Sequence, residues 1–243
     1  MTLLSKLYTG IWEGVDWIFP PSCFNCQAEG ERICPDCLAD FQEIPLPVCP
    51  VCGRAQKSTL VCAQCHHHPP YYDRLRSMFA YQGIAREAVQ RLKYQNDLGL
   101  AEKLAGLMIP YLDRQNWQFD IIIPLPLFHQ RQKERGYNQA ALLALPIALN
   151  FGVKYLPSAL VRVKNTRSQV GLNELERWQN VADAFWAEEH LIKGKNLLLV
   201  DDVSTTGATI NAAALALRSG GALKIYCLTF ARTIKGGAHL NLP

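Results

Sequence analysis

The sequence predicts an α/β protein: a parallel sheet covered by helices, with a small cysteine-rich module ahead of it. Three observations predict it. Residues 197–200 (LLLV) form an apolar run that leads into Asp201-Asp202, a hydroxyl-rich loop, an Ala/Leu helix pattern and a second apolar run at 223–230, which together read as a strand–loop–helix–strand crossover. Residues 119–123 (FDIII) repeat the apolar run and again pass into a helix pattern. Eight of the nine cysteines stand in four CxxC pairs within the first 65 residues. A run that is apolar at consecutive positions is the mark of a strand buried on both faces, as parallel sheets require.

Taken in order, the chain begins with a helix. Leu3, Leu4, Leu7, Tyr8, Ile11, Trp12, Val15 and Ile18 recur at helical spacing, so an amphipathic helix docked on the body is expected. Glu13 and Asp16 interrupt this stretch, and it has no clean apolar core with a small-residue cleavage site, so it does not read as a secretion signal. No uncharged apolar run reaches the ~18 residues of a spanning helix. The chain is therefore expected to be cytoplasmic.

The cysteines follow: Cys23, Cys26, Cys34 and Cys37 as C-x2-C-x7-C-x2-C, then Cys49, Cys52, Cys62 and Cys65 as C-x2-C-x9-C-x2-C. A CxxC brings two thiolates to one metal, and two such pairs complete a tetrahedral site. Without a secretion signal this spacing reads as structural Zn²⁺ rather than disulfides. One ion or two are both consistent with eight ligands, and consecutive and interleaved pairings stay open. Gly53 suits the tight turn of such a knuckle. His66, His67 and His68 read as a solvated loop, and Cys227 as a small buried apolar residue. Pro69-Pro70 break the chain, placing a boundary between a module at 1–70 and a domain at 71–243. Residues 1–70 carry 4 Lys+Arg and 7 Asp+Glu; the remainder carries 21 and 14, so the positive excess belongs to the larger part.

Beyond the boundary, AREAVQRLKYQND (85–97) reads as a helix with Ile84, Ala88, Val89 and Leu92 on one face, whose Lys93 and Tyr94 either reach a nucleotide or phosphate or form a solvated end, and 98–112 as a second helix ending near Pro110. After the 119–123 strand come Pro124-Leu125-Pro126. Arg131, Lys133 and Arg135 then crowd a turn at Gly136. A strand end followed by three cations, a glycine and two amides suits a polyphosphate. Residues 159–185 hold an edge strand at Val161 and Val163 and then little apolar content.

The loop after the 197–200 strand carries the chemistry. Ser204, Thr205, Thr206, Gly207, Ala208 and Thr209 lead into a helix start, where unpaired backbone N–H groups and partial positive charge receive a phosphate. Asp201 and Asp202 cannot bind phosphate. They can accept hydrogen bonds from the two vicinal hydroxyls of a ribose, or help hold Mg²⁺ near it. An acidic pair followed by a phosphate cradle describes a ribose 5-phosphate.

VDDVSTTGAT resembles the 5-phosphoribosyl-1-pyrophosphate (PRPP) motif of type I phosphoribosyltransferases. With the cysteines and the R-G-Y-N-Q at 135–139, nearly the whole chain resembles the ComF/ComFC family of competence-associated proteins, to which GntX-type proteins also belong. The resemblance implies a type I phosphoribosyltransferase-like parallel sheet preceded by a zinc-binding module. It implies PRPP with Mg²⁺ as ligand, with the 5-phosphate on the 204–209 loop, the ribose on Asp201 and Asp202, and pyrophosphate near the loop at 124–128 with Arg131 and Arg135. Residues 159–185 look like the loop that closes over PRPP, with Thr166, Gln169 and Arg177 as contacts. The resemblance also implies natural transformation, with single-stranded DNA and other competence proteins as partners. Tyr71, Tyr72, Tyr94 and Tyr137 are the aromatics expected to stack on bases. Transfer of phosphoribose to a nitrogenous base or amine is the enzymatic alternative. A zinc-thiolate redox sensor has only the CxxC pairs behind it.

Overall fold

A computed structural model of the chain describes residues 2–95, 97–164 and 183–234. Helix α1 (Leu3–Ile18) precedes two short helices at the cysteine pairs, α2 (Pro35–Ala39) and α3 (Ala63–His67). Then come β1 (Arg74–Ala80), α4 (Gly83–Tyr94), α5 (Leu98–Asp113), β2 (Ile121–Pro124), α6 (His129–Arg135), α7 (Gln139–Phe151) and β3 (Lys154–Tyr155). They are followed by β4 (Leu160–Arg162), β5 (Phe185–Ala187), α8 (Glu189–Ile192), β6 (Asn196–Ser204), α9 (Ala208–Ser219) and β7 (Lys224–Arg232).

The main sheet is parallel throughout, in the order β1-β7-β6-β2-β3. Its strands alternate between two cores, because successive side chains leave a strand on opposite faces. Ile122, Leu198, Val200, Leu228 and Phe230 join α4, α5 and α7 on one face. Ile121, Ile123, Leu197, Leu199, Ile225 and Cys227 join α9 and the small β4–β5 hairpin on the other. The continuous apolar runs are explained by this double burial.

The cysteine-rich part packs into both cores. Cys23, Phe24, Cys37 and Phe41 belong to the first, where Phe41 lies 4.8 Å from Phe79 and 5.8 Å from Phe230 between ring centroids. Cys49, Cys52 and Cys65 belong to the second. Gly53 is the hinge of that contact: its φ is +65°, and a Cβ there would stand 2.5 Å from the Leu75 carbonyl oxygen.

Three expectations need correction. Helix α1 docks through Thr2, which caps it at 3.1 Å from the Ser5 N–H and donates to the Leu149 carbonyl, and through an ion pair between Asp16 and Arg32. Its apolar stripe faces outward, with Leu3, Leu4, Leu7, Ile11, Trp17 and Ile18 exposed. Helix α5 does not stop near Pro110 but runs on to Asp113, because the next turn carries Leu112 into the core. Tyr72 is buried and unavailable for stacking; Tyr71 and Tyr94 are exposed. Thr166, Gln169 and Arg177 lie outside the described residues. The chain enters and leaves that stretch through a backbone hydrogen bond of 2.8 Å from Val163 to Ala184.

Candidate functional site

The strand order reverses between β2 and β6. From β2 the chain crosses outward to β3 through α7, and from β6 it crosses the other way to β7 through α9. The two helices cover opposite faces, so the loops leaving β2 and β6 diverge at their carboxyl ends. Ligands of open α/β sheets bind at such a switch point. Pro124 ends β2 in register with Val200, so β6 extends past it and carries Asp201 and Asp202 to the switch point.

The two carboxylates leave β6 on opposite faces and meet different partners. Asp202 is 3% exposed, and its Oδ2 lies 2.7 Å from Lys93 Nζ in the last turn of α4. Burial pushes its pKa up, but the Lys93 charge and hydrogen bond outweigh this and hold it below the usual carboxylate range. Asp201 is 8% exposed. Burial, then the Asp202 charge, push its pKa well above that range. The two neighbouring carboxyls are thus displaced in opposite directions, Asp202 downward and Asp201 upward.

On the Asp201 side, the Arg162 guanidinium sits 5.5 Å from the Phe185 ring centroid on the β4–β5 hairpin. Burial lowers its pKa, Arg131 adds like charge, and Asp201 opposes both, so these three groups share one neighbourhood. Arg162 was invisible as a site residue in the sequence. Its only signal is the V-R-V-K alternation, which puts Arg162 and Lys164 on the face opposite Val161 and Val163.

The loop after β6 is shaped by Gly207, whose φ of +84° turns the chain into α9. The Thr206 hydroxyl accepts from the Ala208 N–H at 3.3 Å. The buried Ser204 Oγ has no hydrogen-bond partner among the described residues. A buried hydroxyl left unpaired beside a helix start suits an anion, so the donor set fits a phosphate.

The R-G-Y-N-Q segment is pinned to its surroundings. Asn138 donates to the Leu125 carbonyl at 3.0 Å and caps α7 by accepting from Ala140 N–H at 3.0 Å. Tyr137 donates to the Leu92 carbonyl at 2.6 Å, tying the loop after β2 to the helix that carries Lys93. Arg135 donates to Gln139 and lies 5.4 Å from the Tyr94 ring centroid. Arg131 thus stands near Arg162, while the described contacts of Arg135 are with Gln139 and Tyr94.

The cysteines resolve into consecutive sets, Cys23/Cys26/Cys34/Cys37 and Cys49/Cys52/Cys62/Cys65. Within each set all four sulfur atoms lie within 4.8 Å of one another. Zinc bound at ~2.3 Å to four sulfurs needs them ~3.8 Å apart; Cys52 and Cys62 are at 3.8 Å and Cys26 and Cys34 at 3.5 Å. One thiol in each set is primed as a thiolate. Burial raises Cys23 and Cys49, but surrounding backbone N–H groups bring them down to about 6 and about 7. His66, His67 and His68 contribute to neither set.

Comparison with known proteins gives the same two parts. Residues 14–66 match a family model described as a double zinc ribbon domain, and residues 138–240 one described as a phosphoribosyl transferase domain. Two four-cysteine clusters within a double zinc ribbon support structural Zn²⁺. No helix among the described residues is long and apolar enough to cross a membrane. Among solved structures, the Bacillus subtilis glutamine PRPP amidotransferase complexed with ADP and GMP is 20% identical, with a TM-score of 0.38 over 53% of this chain and 26% of that one. An adenine phosphoribosyltransferase is 18% identical, with a TM-score of 0.37 over 59% of this chain and 74% of that one. Among curated relatives, the DNA utilization protein YhgH of Salmonella typhimurium is 32% identical over 81% of this chain and 89% of its own. The competence protein ComFC of Bacillus subtilis is 29% identical over 84% and 85%. Competence protein F of Haemophilus influenzae is 31% identical over 86% of this chain and 96% of its own. Identity of 31% along nearly the full length of that relative makes this chain a member of the ComF/ComFC family of competence proteins.

Proposed function

We propose that this chain binds Mg²⁺-PRPP, or a related ribose phosphate, at the carboxyl ends of β2 and β6 and works on incoming single-stranded DNA in natural transformation. The observation that carries the reading is the convergence, at the switch point of the sheet, of the Asp201–Asp202 pair, the Gly207 loop and three cations, Lys93, Arg131 and Arg162. The 5-phosphate sits on Ser204, Thr205, Thr206, Gly207, Ala208 and Thr209. The ribose hydroxyls donate to Asp201 and Asp202. The pyrophosphate lies toward the loop after β2, facing Arg131 and Arg162, with Arg135 at its rim. Mg²⁺ would be held by the pyrophosphate with help from Asp201, and would supply positive charge where the leaving group forms.

An active phosphoribosyltransferase is the second reading, and the same geometry favours it. Transfer asks little acid or base chemistry of side chains; it asks for orientation and for charge opposite the departing pyrophosphate. Exposed Tyr71 and Tyr94 and the positive excess of the larger domain support a backbone-tracking surface for single-stranded DNA. The names of the relatives support the setting: competence protein and DNA utilization protein.

Calorimetric titration of PRPP with Mg²⁺ tests the ligand. Saturable binding that the double change Asp201→Asn/Asp202→Asn weakens at least tenfold is expected; unchanged affinity would sink the ribose role. Single-stranded DNA affinity should fall with rising salt, and a flat response removes the electrostatic surface.

A further inference from the structure

An open cleft of about 450 Å³, solvent space included, lies between the second ribbon and the carboxyl ends of β6 and β7. Its walls include Ile44, Arg54, Thr205, Arg232, Thr233 and Ile234. Arg232 is 4% exposed and donates through one terminal nitrogen to the Cys52 carbonyl. Among the described residues no carboxylate lies within ion-pairing distance of it. A guanidinium has five N–H donors, and no nitrogen of Arg232 is both buried and without a partner. Burial works against its charge, Cys52 and Tyr72 favour it, and Arg54 stands near enough to oppose it as a second cation. Arg54 itself makes no described side-chain contact with an acid. Two guanidinium groups lining one cleft, with no carboxylate paired to either among the described residues, are suited to an oxyanion. Ile44 and Ile234 offer apolar wall to the body that carries it. Thr205 belongs both to this cleft and to the loop after β6, so a ligand here abuts whatever the loop holds.

We propose that this cleft is the acceptor side of the site, and that Arg54 and Arg232 select a small acid with an apolar body, gripped by its carboxylate or phosphate. The word acceptor rests on the PRPP reading; the anion site does not. The second ribbon then has a ligand-facing role, since it delivers Arg54 and fixes Arg232 through the Cys52 carbonyl.

The test is a set of titrations on the full zinc-loaded chain with benzoate, phenyl phosphate and the neutral control benzamide, each with and without PRPP. The variants are Arg54→Gln and, separately, Asp201→Asn. Arg54 is partly exposed and makes no described side-chain hydrogen bond or ion pair, so its replacement leaves the fold intact, as a thermal melt will verify. At least one acid should bind saturably and ten times or more tighter than benzamide. Arg54→Gln should remove most of that preference while leaving PRPP affinity within twofold. Asp201→Asn should do the reverse. The stronger of the two acids identifies the anion. Equal binding of acid and amide, an acid affinity unmoved by Arg54→Gln, or direct competition between acid and PRPP would overturn the proposal. Arg54-dependent acid binding by a chain that takes no PRPP would support the anion site and sink the PRPP reading instead.

Discussion

Adjacent aspartates with identical side chains have their pKa values pushed in opposite directions because β6 turns them to opposite faces. Asp202 meets Lys93, which holds its pKa below the usual range; Asp201 is buried with no ion-pair partner among the described residues, and burial pushes its pKa well above that range. The signs of their contributions to stability follow. The folded pKa of Asp201 is raised, so its contribution is present below the unfolded value of ~3.9 and is lost as pH rises through the folded value. The folded pKa of Asp202 is lowered, so the Lys93 pair stabilises above ~3.9 and fails as pH falls through the folded value. Asp201→Asn should therefore raise stability at pH 8 by about 1 kcal/mol and flatten its decline with rising pH, because a neutral amide needs no burial of charge. Asp202→Asn should cost about 2 kcal/mol at pH 7, less than the usual cost of a broken buried pair because Asp201 remains in reach of Lys93. Urea unfolding across pH 4–9 reads both, and equal effects of the two changes would refute the division of labour. The pair itself was legible in the sequence. Its asymmetry was not, because Lys93 and Arg162 reach it from elements far along the chain.

Among the elements, the crossover from β6 through α9 to β7 was the most legible, since apolar runs, turn chemistry and helix pattern agreed. The outward face of α1 was not, because periodicity tells which residues share a face and not where that face points. At the turn, Gly207 has room for a methyl group, with the nearest side-chain atoms 3.9 Å away, but its φ of +84° strains any other residue. Gly207→Ala should cost about 1 kcal/mol of stability and lower PRPP affinity at least tenfold by shifting the cradle, as parallel melts and titrations would reveal. Gly53 is different, since both space and φ forbid a side chain there. Gly53→Ala should push the second ribbon off β1 and lose its metal, taking zinc content from about two ions per chain to about one. Metal analysis showing two ions retained would mean that the knuckle closes without the β1 contact.

Across the whole molecule, chemistry changes at residue 70 but packing does not. Phe24 and Phe41 stack toward Phe79 and Phe230, and Arg76 donates to the Pro50 carbonyl at 3.1 Å while Leu75 N–H donates to Val51 at 2.8 Å. Composition and spacing marked the ribbons as a separate module because metal sites are local, whereas contacts between a ribbon and a sheet leave no periodic trace. Since each ribbon contributes to a different core, zinc should stabilise the sheet as well as the ribbons. Calorimetry of the zinc-loaded chain should give one transition, and a strong chelator should shift it downward as a whole rather than split it. A chain cut before Tyr71 should expose Phe79 and Phe230, bind a hydrophobic dye and aggregate. Two resolved transitions, or a cut chain that melts cooperatively at the temperature of the whole, would show instead that the sheet stands without its ribbons. The second ribbon would then matter to the cleft as the carrier of Arg54 and of the Cys52 carbonyl that holds Arg232.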